Sequence, residues 1–293
     1  MTALVSTFAR AYHYKNNSEH IFADPLAGEM LTDEEYAAIS ENMAAGISYF
    51  APGFQGTREE ALSFIARRQL APSVLARSAF CERAISDAVT NGYRQIVIFA
   101  CGYDTFSLRT KDKHLQVFEL DRPEMIADRQ RRISQRGLAP VCQDVCIGCD
   151  LALPGWADDL VNAGFNTEKL SFGSLLGISY YLSKNEFRNL LSRISAIFCA
   201  GAYICFDYPQ AAGGAESRRN RELAAAAGEQ MKARYTCDEL EMLLAEAGFL
   251  MREHLDADKT TQAFFQTFNE NNMAHEMTAP EGVGYCLAVK KGG

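Results

Sequence analysis

Two short apolar runs of the sequence are each followed by residues that could bind a nucleotide-like ligand. The run Gln95 to Ala100 (QIVIFA) leads into a loop with Gly102 and Asp104, and the run Leu115 to Leu120 (LQVFEL) contains Glu119, 17 residues after Gly102. Because parallel strands present their carboxyl ends at one edge of a sheet, these residues are expected to lie together. Gly102 can let the backbone approach a ligand, and the Glu119 carboxylate can accept hydrogen bonds from a ribose. NAD and S-adenosylmethionine both satisfy this arrangement.

The charge of the first loop separates these two ligands. A dinucleotide site has several glycines and a helix N-terminus that is open to a pyrophosphate. This loop has one glycine, and Asp104 stands where the anion would lie. A carboxylate repels a diphosphate in a partly desolvated cleft, whereas it tolerates the sulfonium and ammonium groups of S-adenosylmethionine. The sequence therefore favours S-adenosylmethionine, with Asp104 also able to cap the following helix.

The order of patterns along the chain predicts the fold. Apolar runs typical of buried strands alternate with segments typical of helices after residue 90. The predicted strands cover residues 95–100, 115–120, 170–173, 202–207 and 284–290, and the predicted helices cover 123–136, 186–199 and a segment from Thr236 or Asp238 to 247. This alternation is typical of an α/β protein with a doubly wound, mostly parallel, Rossmann-like sheet.

The first 72 residues show helical patterns instead, over residues 3–14, 33–45 and 58–70. Thr57 and Glu60 have the capping-box spacing at the start of the third helix. Pro72 suits the first turn of a further helix that ends near Thr90. We therefore predict an N-terminal helical cap over residues 1–72 and a ligand-binding core over residues 73–293. The polar, alanine-rich stretch 213–231 predicts a helical lid inserted at about 210–235.

Composition excludes several classes of protein. The chain has 293 residues, 48% of them apolar and 23% charged, with a formal net charge of −8. An acidic chain is poorly suited to binding nucleic acid through its phosphates. The apolar runs are far shorter than the roughly 20 residues that a membrane helix needs, and the N-terminus lacks the pattern of a secretion signal. Nine cysteines without an export signal indicate reduced thiols and a cytoplasmic location.

Several segments occur together in the order found in one known family. The core segments are IVIFACGYDTFSLR and VFELDRPEMIADRQ, preceded by STFARAYHYKNN, IFADPLA and ARSAFCERAI, and followed by Trp156, the Tyr181-Leu182-Ser183 turn and FDYP. Over about residues 6 to 209 the chain resembles the leucine carboxyl methyltransferase family, which includes polyketide carboxyl O-methyltransferases. The resemblance implies a methyltransferase that uses S-adenosylmethionine and releases S-adenosylhomocysteine.

The resemblance also implies roles for individual residues toward this cofactor. Arg77 would pair with the methionine carboxylate, with Arg10 as a second contact for which Lys15 competes. The loop at Ala100, Gly102 and Asp104 would approach the cofactor, and Glu119 with Leu120 would lie at the ribose. The adenine would lie beside Asp144 and Val145. Ala100 replaces a family glycine, and Leu176 replaces a family acid that lies beside the transferred methyl group.

The acceptor implied by the resemblance is a small molecule with a carboxyl or hydroxyl group, with methylation of a protein C-terminal carboxylate as an alternative. A carboxylate is already ionised at neutral pH and needs no general base, whereas a hydroxyl acceptor would be helped by His13 or His254. The tyrosines at strand ends are candidates for lining the acceptor pocket: Tyr180, Tyr181 and Tyr208. The Leu176 replacement leaves open a cofactor-binding protein without catalysis.

A second motif supports a different class of enzyme. The spacing of Cys142, Cys146 and Cys149 matches that of radical S-adenosylmethionine enzymes, in which three thiolates hold an iron–sulfur cluster. However, the strand order differs, Gly148 stands where an aromatic residue is usual, and Asp144 lies between the thiols. A structural zinc lacks an evident fourth ligand. We therefore predict reduced cysteines and no metal.

Overall fold

A computed structural model describes residues 2–212 and 231–292 of the chain. Its helices and strands, numbered in chain order, are α1 (Thr2–Asn16), α2 (Asp33–Ala45), α3 (Ile47–Phe50), α4 (Arg58–Ile65), α5 (Ala71–Thr90), β1 (Gln95–Phe99), α6 (Phe106–Arg109), β2 (Gln116–Asp121), α7 (Pro123–Gln135), β3 (Gln143–Gly148), α8 (Trp156–Asn162), β4 (Ser171–Leu175), α9 (Lys184–Ile197), β5 (Tyr203–Pro209), α10 (Cys237–Glu246), β6 (Phe249–Leu255), α11 (Ala257–Thr260), α12 (Gln266–Asn271) and β7 (Val283–Lys290).

Within the described residues, seven strands form one sheet in the order β3-β2-β1-β4-β5-β7-β6. Strands β1 to β5 run parallel, and β7 is antiparallel to both of its neighbours. Apolar side chains alternate between the two faces, so that Ile96 and Ile98 join one buried cluster while Val97 and Phe99 join another. The predicted doubly wound, mostly parallel α/β fold is confirmed.

Two strands were absent from the sequence-based prediction, and they are the two edges of the sheet. Strand β3 has the half-exposed sequence QDVCIG, and β6 has FLMREHL with charged side chains at its centre. An edge strand needs no continuous apolar run because one side of it faces solvent. The pattern that identified the central strands therefore did not apply to β3 and β6.

Capping boxes set the starts of several helices. Thr32 with Glu35 and Thr57 with Glu60 begin α2 and α4, and Ser183 with Glu186 begins α9. The predicted helix over residues 58–70 ends earlier, at Ile65, and a π-helical turn leads directly into α5. The helical path therefore crosses residue 72 without a loop, and the division into a cap and a core stays a prediction.

Helix α1 packs against α5 and covers the carboxyl edge of the sheet. Most of the predicted lid at about 210–235, residues 213–230, lies outside the described residues. At the borders of that segment, Gln210 forms a parallel bridge with Tyr235. Among the described helices, none has the length and apolar character needed to span a membrane.

Candidate functional site

A cavity of about 750 Å³ lies over the carboxyl ends of β1, β2, β3 and β4. Residues that directly follow each of these strands line it, and α1 contributes a wall through Ala3, Ser6, Thr7 and Arg10. This crevice is where ligands bind in open α/β sheets, because the strand order reverses between β1 and β4. The sheet topology therefore brings the predicted loop and several predicted side chains to one place.

The loop after β1 lines the cavity. Ala100 has φ +53° and Gly102 has φ +51°, both in the left-handed region that favours glycine. The Gly102 N–H donates a hydrogen bond to Asp121 Oδ2 at 2.7 Å. Asp104 also lines the cavity, and its Oδ1 accepts from the Phe106 N–H at 2.7 Å. Asp104 thus stabilises the start of α6 while presenting a carboxylate at the cavity.

Glu119 does not reach the cavity, which corrects the sequence-based placement. It is fully buried beneath the loop, where Arg129 Nη2 lies 2.6 Å from Oε1 and Ser107 Oγ donates at 2.9 Å. The acid that lines the cavity is Asp121, two residues further along β2 at the end of the strand. Leu120 is also buried, and its side chain packs on the opposite face.

Asp144 and Val145 do not line the cavity either. Asp144 pairs with Val117 near the beginning of β3, which is the edge opposite the cavity. The residues after β3 that line it are Cys149, Asp150 and Leu151. If β3 had been recognised as a strand, the predicted adenine contact would have been Asp150 and not Asp144, because ligand contacts follow the carboxyl end of a strand.

Glu119, Asp144 and Cys146 form an acidic cluster with Arg129, in which Glu119 and Arg129 are fully buried and Asp144 and Cys146 partly buried. Burial raises the pKa of Glu119 above its ordinary value, opposed by the Arg129 guanidinium, and burial likewise raises the pKa of Asp144. Burial raises the pKa of the Cys146 thiol to about 12. One guanidinium therefore faces two carboxyl groups whose charged forms are both penalised by burial.

The structure does not bring the three motif cysteines together. Within residues 2–212 and 231–292, one group of three possible metal ligands has its atoms within 4.8 Å of one another, namely Glu119, Asp144 and Cys146. Cys142 and Cys149 belong to buried clusters on opposite faces of the sheet. A cluster held by Cys142, Cys146 and Cys149 does not fit this arrangement.

Arg10 and Arg77, two of the three arginines that line the cavity, have different partners. Arg10 Nε donates to Asp24 Oδ2 and Arg10 Nη2 donates to the Tyr103 carbonyl, each at 2.8 Å, so that Arg10 ties α1 to the loop. Arg77 Nη2 donates to Ser6 Oγ at 3.1 Å, and Arg77 Nη1 lies 3.6 Å from Asp207 Oδ2. Both guanidinium groups are half-buried or more, which strengthens their interaction with an anionic group in the cavity.

One of the three predicted pocket tyrosines, Tyr181, lines the cavity. Tyr180 is buried and donates its O–H to Asp207 Oδ2 at 3.0 Å. Tyr208 is fully buried, with its hydroxyl oxygen 2.8 Å from His254 Nε2. Tyr180 and Tyr208 do not line this cavity, because the turn after β4 and the end of β5 direct these two side chains into the core.

The wall next to Tyr181 is apolar. Leu176, Ile178 and Leu182 line it, and Lys232 Nζ lies 3.4 Å from Glu186 Oε2 at its margin. The cavity thus has an acidic half, beside the ends of β1, β2 and β3, and an apolar half after β4. Asp104, Asp121, Glu124 and Asp150 carry the negative charge of the first half, where Arg122 is also found.

Comparison with known proteins gives the same assignment at the level of family. The sequence profile of the leucine carboxyl methyltransferase family matches residues 3–195. The chain is 34% identical, over 99% of its length and 98% of the relative's, to a Bacillus subtilis (strain 168) protein that carries the provisional name S-adenosyl-L-methionine-dependent methyltransferase YktD.

Solved structures share the fold at low sequence identity. A DUF574 family protein from Streptomyces avermitilis MA-4680 has a TM-score of 0.60 and 14% identity, with 97% of each chain covered. Magnesium protoporphyrin IX methyltransferase from Synechocystis PCC 6803, solved with bound S-adenosylhomocysteine, has a TM-score of 0.50 and 10% identity, with 83% of this chain and 92% of that one covered.

Proposed function

The chain belongs to the leucine carboxyl methyltransferase family and is an S-adenosylmethionine-dependent methyltransferase, and from this premise we propose that it methylates the carboxylate of a small molecule. We place the methyl donor in the acidic half of the cavity and the methyl acceptor against the apolar wall after β4. Each half has its own supporting observations.

The residues present fit S-adenosylmethionine. Asp121 would accept hydrogen bonds from the ribose, Arg77 would pair with the methionine carboxylate, and Asp150 with Leu151 would lie at the adenine. A Cβ built on Gly102 would meet Ala3 at 3.4 Å, so that glycine keeps the space between the loop and α1 open. Four carboxylates in the acidic half of the cavity, those of Asp104, Asp121, Glu124 and Asp150, suit a cationic ligand and repel a diphosphate. When bound, S-adenosylmethionine supplies an electrophilic methyl group on a cationic sulfur.

The observation that carries the proposed acceptor is the lack of a histidine base among the described residues at the cavity. Among residues 2–212 and 231–292, no histidine lines the cavity. His13, on α1, is buried and its Nε2 accepts from the Ile21 N–H at 3.0 Å, while His254 lies against Tyr208. A carboxylate acceptor needs no deprotonation at neutral pH, so this cavity can serve it by positioning and by exclusion of water.

The apolar wall supports the same acceptor. Leu176 stands beside Ile178 and Leu182, where water is displaced from a nucleophile that enters between them. Lys232 at the margin can pair with an anionic group because its side chain is half-exposed. Its present partner, the Glu186 carboxylate at 3.4 Å, is also exposed. We therefore expect an acceptor with an apolar body and a carboxylate.

The test is methyl transfer from radiolabelled S-adenosylmethionine to a panel of small carboxylic acids, each matched with the corresponding primary alcohol and phenol. We expect labelled products from the acids alone, with label released as methanol by mild base because methyl esters hydrolyse. The Asp121→Ala variant serves as the control for transfer outside this site. Products from alcohols or phenols that are stable to base would contradict the proposal.

A further inference from the structure

Asp207, near the end of β5, contacts Arg77 and Gly177, which both line the cavity. Its side chain is fully buried, and Oδ1 accepts from the Gly177 N–H at 2.6 Å while Oδ2 accepts from the Tyr180 O–H at 3.0 Å. Its backbone carbonyl accepts from Ser179 Oγ at 2.6 Å. Asp207 therefore accepts hydrogen bonds from three residues of the turn that follows β4.

The same carboxylate faces Arg77. Arg77 Nη1 lies 3.6 Å from Asp207 Oδ2, and Ser6 of α1 holds Nη2 at 3.1 Å. Within residues 2–212 and 231–292, Asp207 is the one acidic side chain in ion-pair contact with Arg77. Leu176, which stands where the family resemblance implies an acid, supplies no charge. Two contacts on opposite branches of the guanidinium fix its plane and leave other N–H donors for a ligand.

Gly177 allows the Arg77 guanidinium to lie close to Asp207. Its φ is +69°, and a Cβ built there would stand 2.8 Å from Arg77 Nη1. A side chain at this position would push the guanidinium away from Asp207. The turn that follows β4 is thus shaped around the Arg77–Asp207 pair.

We infer that Asp207 is a positioning residue that orients Arg77 toward the amino-acid end of the cofactor. This inference rests on the proposed role of Arg77, and it assigns to a residue outside the cavity a selective effect on cofactor binding. Breaking the pair leaves Arg77 free to turn away from the ligand carboxylate, while the binding of the adenosine part is untouched.

The test compares two ligands by isothermal titration calorimetry: S-adenosylhomocysteine, which has the amino-acid group, and 5′-methylthioadenosine, which lacks it. The variant is Asp207→Asn, because asparagine keeps an acceptor for the Gly177 N–H and removes the charge that faces Arg77. We expect the dissociation constant of S-adenosylhomocysteine to rise about tenfold, the effect of weakening one charge-assisted contact. That of 5′-methylthioadenosine should stay within about twofold. Equal effects on both ligands, or none on either, would overturn the inference.

Matched variants separate the possible causes. Tyr180→Phe removes a hydrogen bond to the same carboxylate without changing charge, and it should leave the ratio of the two dissociation constants unchanged. If Asp207→Asn does not fold, Gly177→Ala poses the same question, since its Cβ displaces the guanidinium while Asp207 remains. The same selective loss is expected there, and an unchanged ratio would count against the inference.

Arg77→Met distinguishes a failure of this inference from a failure of the cofactor placement. If Arg77→Met leaves the ratio unchanged, the proposed role of Arg77 is wrong and the inference about Asp207 is overturned with it. If Arg77→Met raises the dissociation constant of S-adenosylhomocysteine selectively and Asp207→Asn does not, only the role of Asp207 is refuted.

Discussion

Asp121→Ala tests which acid of β2 binds the cofactor. The Asp121 carboxylate lines the cavity, and its Oδ2 already accepts from the Gly102 N–H at 2.7 Å, which fixes its orientation. A hydrogen bond from a ribose hydroxyl to this charged and oriented group contributes about 1.5–3 kcal/mol. Its loss should raise the dissociation constant of S-adenosylhomocysteine by a factor of about 10 to 150.

Glu119→Gln is the comparison, because the sequence alone favoured Glu119. Its carboxyl group is fully buried against Arg129 and Ser107, so the substitution should change S-adenosylhomocysteine affinity less than about threefold. The cost should fall on stability instead, because the partner Arg129 loses a buried ion pair. Calorimetric titration measures the affinities, and urea denaturation monitored by circular dichroism measures the free energies of unfolding.

The reasoning would be refuted by the reverse result. If Asp121→Ala binds S-adenosylhomocysteine like the wild type while Glu119→Gln loses affinity and keeps its stability, the cavity is not the ribose site. The control Glu168→Gln, an exposed acid outside the cavity, should change neither quantity.

Three further predictions concern other residues. Burial lowers the pKa of His13 from 6.5 to about 4, so the folded state is fully stable above pH 6.5 and loses about 3 kcal/mol as the pH falls to 4. Urea titrations across that range should show a smaller loss of stability in His13→Gln, whereas the exposed His114→Gln should behave like the wild type. Ala100→Gly should raise the free energy of unfolding by about 0.5 kcal/mol, since glycine relieves the strain of the φ of +53° but gains entropy in the unfolded state. The control Ala37→Gly on α2 should lower the free energy of unfolding by about 1 kcal/mol. An Ala100→Gly variant no more stable than the wild type would count against strain in this loop. Lys232→Met should raise KM for a carboxylate acceptor about tenfold with kcat and the S-adenosylmethionine KM unchanged, Lys232→Arg should restore it, and equal kinetics in both variants would remove Lys232 from the acceptor site.

The sequence determined the architecture and the type of cofactor. The strands β1, β2, β5 and β7 are buried enough that each shows as a mainly apolar run, and capping residues such as Thr57 mark where helices begin. The single glycine and the acid of the 100–104 loop were sufficient to favour a cationic ligand over a diphosphate. Local chemistry decided these points, because each depends on residues that are close together in the chain.

The tertiary structure decided which side chains face the cavity. Glu119 and Asp121 lie on the same face of β2 and are equally acidic, and only their distance from the end of the sheet places one under the loop and the other in the crevice. Asp150 could replace Asp144 only after β3 was known to be a strand. Asp207 reaches Arg77 across 130 residues of sequence through the packing of α5 against β5. Periodicity specifies the face of an element, whereas the depth of a residue along that element depends on register with neighbours that the local sequence does not contain.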